Sequence, residues 1–120
     1  MKIIDLEKLT KKIKWKGKHA DQIIIHNTTI AIIENTNRAK TDDIKQLDST
    51  IQAILKGPLK NHLPLTNKPS KIIAIIHTKQ TDRMLTGILI SKNKKNLIYR
   101  TASCNQHLKS ILQKHGITNN

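Results

Sequence analysis

Any chemistry in this chain must come from a small stock of side chains: six histidines (His19, His26, His62, His77, His107 and His115), one cysteine (Cys104) and eight acids. No two histidines stand at the spacing of a tight metal-ligand pair. Cys104 and His107 are separated as i and i+3 in a helix-like segment, with Cys104 on its apolar stripe. That placement reads as a buried structural cysteine, because an activated thiol would need a base or a cation beside it. A single cysteine also excludes an internal disulfide and a Cys-rich zinc site. Metal-assisted hydrolysis needs carboxylates in one place, and only Glu34, Asp42, Asp43, Asp48 and Asp82 fall in the part read as folded. Gly57-Pro58 is too short to cradle a phosphate. The expectation is a protein that is not an enzyme and takes no cofactor, metal or small-molecule substrate.

What the chain has in excess is positive charge. It carries 22 Lys and Arg against 8 Asp and Glu, a net +14. After Asp48 the only acid is Asp82. Such a balance opposes compaction unless an anion neutralises it, and nucleic acid is the commonest polyanion. Phe is absent, and Trp15 and Tyr99 are the only aromatics. Binding by base stacking on a ring-bearing sheet is therefore not expected; phosphate contact and shape are. The predicted contacts are His77, Lys79 and Arg83, the run Lys92, Lys94 and Lys95, and Lys68 and Lys71. The abundance of Ile, Lys, Asn and Thr without Phe further predicts an A-skewed coding strand. The base composition of the gene checks that directly.

The elements that must position these residues can be read from periodicity. Residues 1–20 are polar and Lys-rich around Trp15, a solvated arm or a basic extension lying on RNA. Gln22 to Glu34 is rich in branched side chains and reads as strand, broken at Asn27-Thr28-Thr29 by a turn or a bulge. Residues 42–56 are the clearest helix: Thr41 can cap it, Asp42 and Asp43 sit in its first turn, and Ile44, Leu47, Ile51, Ile54 and Leu55 fall on one face. Lys56-Gly57-Pro58 ends it. Residues 71–77 read as strand, and 85–90 and 96–100 as strand-like. Ser103 to His115 reads as a second helix, with Ser103 and Gln106 as a capping box and Gly116 as its stop.

This order gives an α+β class, the βαββα(β) pattern of a ferredoxin-like sandwich with the last strand truncated. Residues 1–29 would be a basic N-terminal extension and 30–120 a single domain. Its arms, 59–76 and 85–99, would form a long β-hairpin (about 59–99). An extended arm of ~15 residues reaches ~50 Å, so the hairpin would project into a partner. No apolar run approaches the ~20 residues of a bilayer span, and Met1 to Leu9 has no signal-peptide core. No membrane partner is expected.

Over residues 30–117 the chain resembles the universal small-subunit ribosomal protein S-ten family. Gly57-Pro58 and Leu63-Pro64-Leu65-Thr66 resemble its Gly-Pro and Leu-Pro-Thr elements. His77 and Arg83 resemble its tip His and Arg at the same separation. Lys94-Lys95-Asn96-Leu97-Ile98-Tyr99 resembles its basic segment, and Leu108 to Ile117 its second helix. Ile76 stands where the family has Pro, about three residues are inserted near 91–93, and Thr118-Asn119-Asn120 replaces the final strand. The N-terminal strand or another protein would complete the sheet.

The resemblance implies a structural constituent of the small ribosomal subunit. It would bind ribosomal RNA and neighbouring head proteins through the basic hairpin. A mitochondrial ribosome is the expected location, with the cytoplasmic ribosome of an AT-rich organism as the alternative. Two other readings compete. One is a free-standing basic nucleic-acid-binding regulator, which folds alone. The other is a small basic nuclease or toxin using a catalytic His such as His77.

Overall fold

A computed structural model of the chain describes residues 1–65 and 68–117. Thr66 of the Leu-Pro-Leu-Thr stretch and the tail 118–120, where the truncated last strand was expected, lie outside the described residues. The class is α+β: the described residues form a five-stranded mixed sheet with four α-helices. The strands are β1 (Lys2–Asp5), β2 (Gln22–His26), β3 (Thr29–Arg38), β4 (Lys71–Gln80) and β5 (Leu97–Ala102). The helices are α1 (Leu6–Lys12), α2 (Thr41–Leu55), α3 (Arg83–Ser91) and α4 (Asn105–Lys114).

Strand order follows the chain, β1-β2-β3-β4-β5. The first three strands form an antiparallel meander, and β4 and β5 join in parallel. The expected projecting hairpin is thus corrected. Leu85 to Ile90 is not a strand, and β4 and β5 are parallel neighbours bridged by α3. Asp82 sets that helix: its Oδ1 accepts the N–H of Leu85 at 2.8 Å, an N-cap. Leu85 and Leu89, one turn apart, are then both buried. Residues 59–65 do not form an arm either. Leu59 and Leu63 turn into the core around a short 3-10 turn at Lys60–His62.

Residues 1–29, expected as an extension, belong to the domain. β1 pairs with β2 from Lys2↔Ile25 to Asp5↔Gln22. Leu6 and Ala20 are fully buried. The break at Asn27 is a tight turn between β2 and β3, with His26 facing Thr29 and Asn27 at φ 56°, a backbone region Asn tolerates better than most residues. The N-terminal strand adds to the sheet. It does so at the β2 edge.

The sheet is covered on both faces, which is why its strands read as continuous Ile runs rather than alternating ones. Ile23, Ile25, Ile30, Ile32, Ile72, Ala74 and Ile76 pack against α1, α2 and α3. Ile24, Ala31, Ile33, Ile73 and Ile75 face the other way, against Ile111 of α4 and Ile117. Two successive parallel steps in one direction place α2 and α3 on the same face. Cys104 is corrected as well. It is exposed and forms the N-cap of α4, its Sγ accepting the N–H of His107 at 3.4 Å. Ile111 takes the buried position instead.

Candidate nucleic-acid interface

Parallel pairing of β3, β4 and β5 brings their carboxyl ends to one edge of the sheet. From that edge α2, α3 and α4 depart, so all three present their N-termini there. Each carries positive partial charge from unsatisfied N–H groups. In open sheets this edge is where ligands settle. A cavity of about 550 Å³ opens there on the α4 side, lined by Asn35, Asn37, His77, Lys79, Ser103 and Cys104 among others. His77 Nδ1 and Asn35 Oδ1 are 3.0 Å apart across it. On the α2–α3 side lies a hollow of about 470 Å³ with Arg38, Lys40, Thr41, Asp82 and Met84 in its wall. Between them a third, of about 440 Å³, is lined by Arg38, Lys79, Gln80 and Asp82.

The residues expected to contact RNA do not form one patch. His77 and Lys79 lie near the carboxyl end of β4, and exposed Arg83 opens α3 at the same edge. Lys68 and Lys71 precede or begin β4, and Lys94 and Lys95 stand just before β5. Those four occupy the opposite edge, where the Ile72 N–H donates to Asn96 O at 2.9 Å. The length of β4, ten residues, separates the two groups by ~30 Å. Lys92 is in neither group. Its Nζ meets Asp48 at 2.8 Å and lies 5.3 Å from the Tyr99 ring centre. Sequence reasoning missed Arg38 and Lys40, which the β3–α2 connection carries to the helix-N-terminal edge beside Lys79.

A second feature of this edge was also missed. Glu34 lies on β3 on the α2-facing side and is only 5% exposed. The hairpin register that pairs Gln22 with Ile33 puts Asp21 across from it, and Asp43 reaches it from the first turn of α2. Both carboxyls come within hydrogen-bonding reach of Glu34, and burial first, then Asp21 and Asp43, push its pKa up to about 9. Asp21 Oδ2 accepts the Asn35 N–H at 2.7 Å, and Asp43 Oδ2 the Lys40 N–H at 2.8 Å. Three of the eight acids therefore converge, although Asp21 had been placed outside the domain. An acid closing the run Ile30-Ala31-Ile32-Ile33 on a strand face was the available signal. Even so, among the described residues no three His, Cys, Asp or Glu side chains are grouped so as to hold a metal ion by themselves.

Two further titratable groups are structural. Tyr99 donates its O–H to Asp48 Oδ1 at 2.5 Å, and burial with that carboxylate pushes its pKa well up. Both ring nitrogens of His115 are buried, and neither has a partner among the described residues. Burial, then Lys71, Lys114 and Arg100, hold its pKa below the usual imidazole value. His77 cannot serve the carboxylates: it faces the α4 side with Asn35, and Glu34 the α2 side. No helix among the described residues is long and apolar enough to cross a membrane. No protein-family model, no curated protein and no solved structure matches this chain.

Proposed function

We propose that this chain is a free-standing nucleic-acid-binding protein that holds the phosphate backbone along the edge where β3, β4 and β5 end. The observation that carries this reading is the gathering of Arg38, Lys40, Lys79 and Arg83 with three helix N-termini at one edge of a chain of net charge +14. Backbone N–H groups and cations are what phosphates bind. With Trp15 partly buried and Tyr99 buried, stacking contributes little, so affinity is electrostatic and weakly dependent on sequence.

Residence in a small ribosomal subunit, implied by the family resemblance, relied on a long arm that would thread into RNA. The parallel β4–α3–β5 unit takes that support away and favours the regulator-like alternative, a domain that folds alone. Both readings share RNA as a ligand, and one experiment separates them. Labelled duplex DNA, duplex RNA and single strands are titrated in chelator-containing buffer, and extract is sedimented in parallel. The proposal expects tight, salt-sensitive binding by the free protein and no comigration with ribosomes. Quantitative comigration with the small subunit would instead support the ribosomal reading. Absence of binding to every nucleic acid at low salt would refute both.

A further inference from the structure

We propose that the loop after α1 holds a single unpaired nucleotide of a bound strand, its base against the Trp15 indole and its phosphate on Lys14 and Lys16. This rests on the nucleic-acid reading and deepens it. A cavity of about 420 Å³ opens at this loop, with Trp15, His19, Glu7, Lys11, Lys14 and Lys16 in its wall. Trp15 is the only tryptophan of the chain. It is half-buried, and Lys14 and Lys16 are exposed beside it in sequence. A flat ring next to cations matches a ligand that is itself a flat ring joined to an anion.

The turn that builds this cavity is strained. The Trp15 N–H donates to Thr10 O at 2.9 Å and the Lys14 N–H to Lys11 O at 3.3 Å, the two bonds of a Schellman cap. Such a cap needs one left-handed residue, usually Gly or Asn. Here it is Lys14, at φ 59°. Strain of this kind collects where a ligand is clamped. The same turn fixes the indole. A Cβ on Gly17 would stand 2.5 Å from Cε2 and Cζ2 of the ring, so only Gly lets the chain lie against it. The His19 ring meets the indole at 6.1 Å between centres and 42° between planes, and His19 Nδ1 donates to Ala20 O at 2.7 Å. Ser49 Oγ donates to Lys18 O at 2.7 Å, and the Ala20 N–H to Thr50 Oγ1 at 2.8 Å. Those two bonds tie the loop to α2. A ring held in place before the ligand arrives loses little freedom on binding.

Charge selects the sign of the ligand. Glu7, the acid in the wall, is met by Lys11 at 3.5 Å and by His19 at 3.7 Å. Lys14 and Lys16 are ion-paired to no carboxylate among the described residues, which leaves both for a phosphate. One indole serves one base. The bases of a fully paired duplex stack on one another, so its affinity stays electrostatic. Helices α1 and α2 lie on the same face of the sheet. Ser49 stands ~12 Å along α2 from the N-terminus at the basic edge, so one short strand can occupy both places.

The test titrates the full chain with a short 5′-phosphorylated oligo(dA) and with a blunt, fully paired duplex. Tryptophan emission reports on Trp15 alone, and the anisotropy of a labelled strand reports binding of any kind. The single strand should quench the emission saturably; the duplex should bind with little quenching. Trp15→Leu should weaken single-strand binding by at least about fivefold. Lys14→Gly should weaken it by at least about fivefold, and Lys12→Ala, an equal loss of charge outside the cavity wall, by less than about twofold. Lys14→Gly should melt no lower than the unaltered chain, since Gly takes φ 59° without strain. Should Trp15→Leu fail to fold, Lys14→Gly decides. Single-strand binding by anisotropy without quenching, or equal losses in Lys14→Gly and Lys12→Ala, would overturn the site and leave the nucleic-acid reading standing. Absence of binding to both probes would overturn both. Emission that responds to phosphatidylserine vesicles and to neither nucleic acid would overturn the site in favour of a membrane surface.

Discussion

Glu34 couples sequence position to pH response in a way that can be measured. Its pKa stands at about 9, raised from 4.5 by burial and by Asp21 and Asp43. Between those values the folded chain keeps a proton that the unfolded chain has lost. Stability therefore declines as pH rises through this window, by up to about 1.4 kcal/mol per pH unit. Glu34→Gln removes the titration. Thermal midpoints of the unaltered chain should fall from pH 7 to pH 9, and those of Glu34→Gln should stay nearly level there; parallel profiles would contradict the burial argument. His115 acts with opposite sign. Its lowered pKa means that the unfolded chain takes up a proton first as the medium is acidified. Stability should then fall as pH drops below about 6.5. His115→Leu should flatten that limb in thermal midpoints taken from pH 5 to pH 7.

At the scale of elements, two substitutions probe how the helices are held. Asp48 on α2 accepts from Tyr99 of β5 and pairs with Lys92 at the end of α3, so one carboxylate ties three elements together. Asp48→Ala leaves the buried Tyr99 hydroxyl without its acceptor. It should cost about 1–3 kcal/mol in denaturant unfolding; a loss below about 0.5 kcal/mol would show the tie to be idle. Gly87 lies in the middle of α3, exposed, with open space where a Cβ would go. Gly87→Ala should stabilise the protein by about 0.5–1 kcal/mol in the same assay. These elements were unequally legible in the sequence. Helix α2 and strand β4 could be read because apolar spacing, the acids Asp42 and Asp43 and the flanking prolines agreed, although Lys40 and not Thr41 takes the N-cap position of α2. Helix α3 could not: Ile88, Ile90 and Gly87 suggested a strand, and the signals that decide it, Asp82 as cap and Leu85 with Leu89 one turn apart, are short and local. Strand β1 has four residues and exists only through pairing with β2, a tertiary fact that no local pattern records.

For the molecule as a whole, the basic residues were legible from composition, and their grouping was not. Reading 59–99 as a hairpin placed His77, Lys79 and Arg83 at its tip and Lys92, Lys94 and Lys95 along its returning arm. Parallel pairing sends Lys94 and Lys95 to the far edge with Lys68 and Lys71, and puts Arg38 and Lys40 in their place. Asp21, Glu34 and Asp43 are distant in sequence and meet only through the β2–β3 register and the entry of α2. The carboxylate cluster was therefore invisible until the topology was known.

The most direct measurement is the salt dependence of nucleic-acid affinity in two variants of equal charge. One replaces Arg38, Lys40, Lys79 and Arg83 by Ala; the other replaces Lys68, Lys71, Lys94 and Lys95. If the edge at the carboxyl ends of β3, β4 and β5 carries the backbone, the first should bind far more weakly, with its log-log salt slope shallower by about 3–4, and the second should stay close to the unaltered chain. An equal loss in both variants, or a loss confined to the second, would contradict the interface proposed for this protein.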